Sequence, residues 1–199
     1  MKQLTDFVPL LGPRLRDGGG DGLRALAERW GVEFPADLVE ILAAYGDSFI
    51  ADHITLYGPG TLEKMSSYRR SGEFPLGLDD TVARPVFPRP GGLLEWATSS
   101  TGDAFCVQKR EHGDWAVSTY DQLAFEWLDY DLGFSEWLYV ALSGEAEFDI
   151  LPPFDESRPL SVVPLDIDRD PVTQPLGAPL RRRHYLFRRR LVGRGSCNW

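Results

Sequence analysis

Trp30-Gly31-Val32-Glu33-Phe34-Pro35-Ala36-Asp37-Leu38-Val39-Glu40-Ile41-Leu42-Ala43-Ala44-Tyr45-Gly46 holds a helix stop, a proline-started helix and a second glycine stop. Ahead of it, Leu23, Leu26, Ala27 and Trp30 recur at i, i+3, i+4 and i+7, the spacing of one buried helix face. Gly31 supplies the left-handed residue that commonly ends a helix. Pro35 suits the first turn of the next helix, near 35–45, because a missing N–H costs nothing there. Leu38, Ile41, Leu42 and Tyr45 repeat the apolar spacing, Gly46 ends it, and Asp37 and Glu40 lie near the positive end of that helix. Asp21 is placed to cap the first helix, near 22–30. Two short amphipathic helices joined by an apolar elbow must cover something.

The sequence that follows supplies a sheet. Residues 49–57 read as one strand, stopped by Gly58-Pro59-Gly60, after which Thr61 is placed to cap a short helix. Residues 71–92 carry Pro75, Pro85, Pro88 and Pro90 and read as an irregular or edge segment. Leu93–Ser99, Ala104–Arg110, Asp114–Tyr120 and Leu123–Leu128 are strand-length runs separated by short turns at 100–103, 111–113 and 121–122. Phe105 and Val107 share one face, as do Trp115, Val117 and Thr119. Phe134, Trp137, Leu138, Ala141 and Leu142 then draw an amphipathic helix that Gly144 stops. This order predicts an α+β fold: an antiparallel sheet of about four to six strands, with an N-terminal helix pair and a C-terminal helix packed on it. The expected organisation is a loose lead-in over 1–20, the α+β domain over 21–148, and a proline-rich extension over 149–199 that wraps the surface or stays flexible and ends in an Arg-rich tail.

The 199 residues suit one domain with a tail, and 43% hydrophobic residues suffice for a sizeable core. No run approaches the roughly 18 apolar residues of a membrane span. Lys2 is the only positive flank of the N-terminus, and Pro9 and Pro13 interrupt its apolar stretch, so a cytoplasmic protein without a signal peptide is expected. Cys106 and Cys197 form neither a metal spacing nor a disulfide framework, and Cys106 reads as a buried free thiol. Charge is distributed unevenly. The chain carries −9, yet seven arginines and no acid fall within 181–199, leaving −16 on the first 180 residues. From Glu111 through Glu156 there are twelve carboxylates and no Lys or Arg. Such a field repels phosphate and speeds encounter with basic surfaces.

Chemistry is sparse. His53, His112 and His184 lack metal spacing, and as strand neighbours Asp52 and His53 would point to opposite faces. Cys106 has no flanking His or helix N-terminus to lower its pKa. Gly18-Gly19-Gly20 precedes a helix as a phosphate loop would, but Asp17 and Asp21 flank it and favour a linker. Asp79-Asp80 reads as a solvated turn. No catalytic, metal or cofactor site is expected. The cluster Arg181-Arg182-Arg183-His184-Tyr185-Leu186-Phe187-Arg188-Arg189-Arg190 could grip nucleic acid by phosphate pairing and stacking, but association with the acidic body, or disorder, ranks above that reading.

Four blocks together carry a family resemblance. They are the elbow from Trp30 to Leu38, continued to Tyr45-Gly46; Val86-Phe87-Pro88-Arg89-Pro90-Gly91-Gly92-Leu93-Leu94-Glu95-Trp96-Ala97 leading to Thr101-Gly102-Asp103; Trp115-Ala116-Val117; and Leu132-Gly133-Phe134-Ser135-Glu136-Trp137-Leu138. In this order, from about Leu23 to Glu145, the chain resembles the SUKH superfamily, α+β domains related to fungal cell-wall assembly regulators and abundant in bacteria as immunity proteins of toxin systems. The resemblance implies a non-enzymatic binding domain, typically cytoplasmic, that neutralises a toxin by covering it; it does not account for the proline-rich extension. Many such toxins are nucleases, which must present cations to phosphate. The expected contact set is therefore Glu126, Asp129, Asp131 and Glu136, with Trp127 and Tyr130 as anchors or, as readily for Trp127, core residues. Three other readings stay open: a regulatory scaffold for a host protein, an enzyme whose site converges only in the fold, and a nucleic-acid binder using 181–194.

Overall fold

Asp37, near the start of the third helix, ties the helical layer together. Its Oδ1 accepts the Leu38 N–H at 2.9 Å, and its Oδ2 accepts the Ser135 N–H of the last helix at 3.0 Å. The computed structural model describes residues 1–18, 20–71, 84–154 and 159–165. These include helices α1 (Leu4–Leu11), α2 (Asp21–Trp30), α3 (Ala36–Tyr45), α4 (Pro59–Ser71) and α5 (Phe134–Ser143). The strands are β1 (Ser48–Ile50), β2 (Ile54–Leu56), β3 (Leu93–Ser99), β4 (Ala104–Lys109), β5 (Trp115–Asp121), β6 (Glu126–Asp129) and β7 (Val162–Pro164). All strand pairings are antiparallel, in the spatial order β6-β5-β4-β3-β2-β1-β7. The fold is α+β as expected. Its sheet has seven strands among the described residues, more than the expected four to six, because 49–57 is a hairpin and a further strand comes from the extension.

The elbow behaves largely as its residues dictate. Gly31 ends α2 at φ 64°, ψ 37°, and its N–H reaches back to the Ala27 and Glu28 carbonyls. Pro35 precedes α3 as its cap and does not open its first turn. Gly46 ends α3 at an ordinary φ of −59°, so a different constraint applies there. A Cβ on it would collide with the Leu42 carbonyl oxygen and lie 2.8 Å from the Gly58 Cα. Two backbones cross at that point, and only glycine fits.

Four local expectations are corrected. Asp21 lies inside α2, which Gly20 precedes in a left-handed conformation. Thr61 lies inside α4, which starts at Pro59, and its hydroxyl donates to Asp47 Oδ1 at 2.6 Å. The 49–57 strand breaks at Ala51 and Asp52, both at positive φ, and turns back as the β1–β2 hairpin. Within the expected loose lead-in, α1 buries Leu4, Phe7, Leu10 and Leu11, its Pro9 notwithstanding.

One sheet face carries the main core. Leu38, Ile41 and Leu42 of α3 and Trp137 and Leu138 of α5 share a buried cluster with Trp96, Phe105, Val107 and Val117 of the sheet. Trp96 meets the edge of Phe134 at 4.9 Å and Trp137 at 5.9 Å, geometries favoured by the aromatic quadrupole. A bulge in β3 between Glu95 and Ala97 lets Trp96 and Ala97 both join this core. The other sheet face holds a smaller cluster of Leu93, Ala104, Cys106 and Tyr120, against which Trp127 packs.

Past residue 150 the chain returns to the sheet. Leu160 is buried, its N–H donates to the Leu10 carbonyl at 2.7 Å, and Val162–Pro164 pair with β1. The described residues all belong to one compact unit; Cys197, His184 and the arginine cluster lie outside the described residues, as do Asp79 and Asp80. No helix among the described residues is long and apolar enough to cross a membrane.

Candidate protein-interaction edge

β6 is a terminal strand, paired on one side with β5 through Ser118↔Asp129, Thr119↔Leu128, Tyr120↔Trp127 and Asp121↔Glu126. The strand is shorter and later than the expected 123–128 run. Asp121 is the reason: its Oδ1 accepts the N–H groups of Leu123 at 2.7 Å and Ala124 at 2.8 Å, and its carbonyl accepts that of Phe125 at 2.9 Å. Those donors serve a turn and are lost to the ladder. Phe125 sits at φ 57°, a left-handed conformation that an aromatic residue rarely adopts.

The contact residues proposed from the sequence divide sharply. Glu126 is exposed and makes no ion pair among the described residues. Asp129 is engaged by Arg84, whose two guanidinium nitrogens donate to its carboxylate at 2.6 and 2.9 Å, and by the Ser118 hydroxyl at 2.6 Å. The hydrogen bond from Arg84 holds the Asp129 carboxyl below its ordinary value, against the opposing effect of partial burial. Trp127 is half-buried, with its ring 5.1 Å from Tyr120 and the Arg84 guanidinium 4.7 Å above it. Tyr130 is half-buried against Trp137 and Phe148 at 5.7 and 5.3 Å. Asp131 is 94% exposed and pairs with Arg110, which also reaches Asp114 at 3.8 Å. Glu136 stands on α5 and pairs with the N-terminal ammonium at 2.7 Å, which keeps its carboxyl below the ordinary value. β6 and the residues just past it thus line up Glu126, Trp127, Asp129, Tyr130 and Asp131 along one edge, with Trp127 and Tyr130 packed on opposite sheet faces, while Glu136 turns toward Met1.

Two arginines escaped the sequence reading. The run from Glu111 to Glu156 has no cation of its own, but Arg84 and Arg110 enter from outside it and pair with three of its carboxylates, Asp129, Asp131 and Asp114. Pairing across 45 residues leaves no mark on local pattern. The edge nevertheless stays acidic. Along β5, β6 and the turns at their ends, Glu111, Asp114, Asp121, Glu126, Asp129 and Asp131 stand against Arg84, Lys109 and Arg110.

Groups capable of chemistry are placed apart. Cys106 is buried in mid-β4 opposite Glu95 of β3, and burial, reinforced by Glu95, pushes its thiol well above the ordinary value. That is the reverse of an activated nucleophile. His53 ends the β1–β2 turn with Nδ1 2.9 Å from the Ser100 hydroxyl, and His112 lies in the β4–β5 turn. A groove of about 630 Å³ runs between α2 and α3, rimmed by Arg14, Arg24, Glu28 and Glu40 over an apolar floor that includes Val39 and Ala43.

In comparisons with known proteins, the chain matches no family model, no curated protein and no solved structure.

Proposed function

We propose that this chain is a non-enzymatic protein-binding module, a cytoplasmic immunity protein of SUKH type that neutralises a basic, nuclease-type toxin by covering it. The observation that carries the reading is the carboxylate excess along the β6 edge, which persists after Arg84 and Arg110 are counted. An edge of this sign mimics the charge of the phosphate that a nuclease must bind, and so competes for the same cationic surface. The blocks that resemble the SUKH superfamily give the reading its biological frame. Asp129 and Glu136 serve internal pairs, so the binding charge is assigned chiefly to Glu111 and Glu126, which are exposed, and to Asp131, which pairs with Arg110 but stays 94% exposed.

Co-expression with basic nuclease-type toxin domains from the same source tests this. One of them should be neutralised, with growth restored and a stable complex isolated. The triple reversal Glu111→Lys, Glu126→Lys and Asp131→Lys should abolish the protection and weaken the complex at least about tenfold. Failure to neutralise any such domain, or full protection by the triple variant, rejects the reading.

A further inference from the structure

We propose that the β5–β6 turn is the anchor of this interface, and that Leu123 and Phe125 enter an apolar pocket on the partner whose rim carries Lys or Arg side chains. The inference rests on the acidic-edge reading and adds the apolar contact and the shape of the surface that receives it.

Leu123 is 74% exposed and Phe125 46%, both on one turn. Neither is loosely held. The three hydrogen bonds to Asp121 fix the backbone of residues 123–125. The Gln122 N–H donates to Asp103 Oδ1 at 2.9 Å, and Asp103 is itself held by the hydroxyls of Ser99 and Thr101, each at 2.6 Å. The β3–β4 turn thus braces the β5–β6 turn. An anchor on a fixed backbone loses little freedom on binding, which is the condition for a contact of high yield. Asparagine or glycine would hold Phe125's left-handed conformation with less strain, so the aromatic side chain stands there against the local preference.

Charge selects the occupant. Glu126 follows directly and is exposed, and Asp121 flanks the turn on its other side. An anionic bilayer or a nucleic acid would be repelled, and a second copy would set carboxylate against carboxylate. A protein with a cationic rim around an apolar pocket satisfies both the apolar tip and its acidic flanks.

The test places the photo-crosslinker p-benzoylphenylalanine at position 123 or 125 of the full chain, in cells of its own source. Positions 111 and 131 report on the acidic edge, and Val8, a 42% exposed residue of α1, is the control. Positions 123 and 125 should both trap one basic protein, through peptides that combine apolar residues with Lys or Arg, at least about tenfold above the control. Adding Glu126→Lys should lower that yield. Trapping at 111 and 131 but not at 123 and 125 overturns the anchor and leaves the acidic-edge reading standing. Trapping of a basic protein at none of the four overturns both, and trapping only of lipid or of a second copy overturns the anchor. In a second arm, Phe125→Gly and Leu123→Ser should each weaken the trapped complex about tenfold or more, with melting temperature unchanged or raised. A melting temperature that falls in step with binding would make these side chains structural and reject the proposal.

Discussion

Glu95 is 3% exposed and receives hydrogen bonds from the Tyr57 hydroxyl at 2.8 Å and Arg69 Nε at 2.6 Å. Arg69 comes from α4 and Glu95 from β3, so this triad fastens a helix to the sheet. Deleting one partner of a buried pair leaves the other's charge uncompensated, which costs about 3–5 kcal/mol. Arg69→Met is therefore expected to destabilise the protein by about 3 kcal/mol in urea unfolding, and Arg69→Met with Glu95→Leu should recover much of that loss. A second residue sets the pH response. Burial pushes the His53 imidazole below its ordinary value, partly offset by the Ile150 backbone and by Asp103. The unfolded chain then takes up the proton first. His53's contribution to stability is complete above the unfolded value and is lost as pH falls through the folded one. Urea midpoints should decline as pH drops below about 6.5, and His53→Gln should flatten that decline. Asp129 and Glu136, both held low by their cationic partners, add an acid-side loss below about pH 4.

β7 closes the sheet edge beyond β1 and brings buried Leu160 with it, linked by Ala51 N–H to the Ser161 carbonyl at 2.7 Å and Leu165 N–H to the Asp47 carbonyl at 2.8 Å. A chain ending at 158 loses those bonds and uncovers the β1 edge, a template for wrong pairing. It is expected to melt several degrees below a chain ending at 167 and to aggregate on heating, by calorimetry and light scattering; equal melting temperatures would make β7 an ornament. The same strand shows where sequence reading reaches its limit. The meander from Leu93 to Tyr120 was legible because period-two alternation in Phe105, Val107, Trp115 and Val117 is a local signal. α2, α3 and α5 were legible from their apolar stripes. β7 was hidden among prolines, and three paired residues are too few to show a period. Pro9 obscured α1 in the same way, although Leu4, Phe7, Leu10 and Leu11 lie on one helical face. The β1–β2 hairpin was missed because its turn uses Ala51 and Asp52 at positive φ, where a glycine or asparagine would have announced it.

At the scale of the whole molecule, the sequence revealed the sign of the charge better than the disposition of individual charges. Glu126 emerged exposed and without an ion pair among the described residues, whereas Asp129, Asp131 and Glu136 answer to Arg84, Arg110 and the N-terminal ammonium, partners that only the fold supplies. The strand expected over 123–128 loses Leu123 and Phe125 to a turn, because the Asp121 carboxylate takes the Leu123 and Ala124 N–H groups and its carbonyl takes that of Phe125, contacts outside any period. Binding that follows the molecule's total charge and binding that follows the position of that charge respond differently to salt. Screening separates the two, since exposed charges farther apart than about 10 Å cease to act on one another near 0.1 M salt. Association with a basic partner of the proposed kind should slow by about tenfold or more between roughly 20 and 300 mM salt, because steered encounters fall steeply with ionic strength. The reversal of Glu111, Glu126 and Asp131 to Lys should flatten that slope. An equal change of net charge at the α2–α3 groove, Glu28→Lys, Glu33→Lys and Glu40→Lys, should leave most of it in place. Stopped-flow association rates for the three proteins decide the matter. If both triple variants flatten the slope alike, the partner senses only net charge and the β6 edge has no privileged role. If only the edge variant does, the field that guides the encounter originates along that strand.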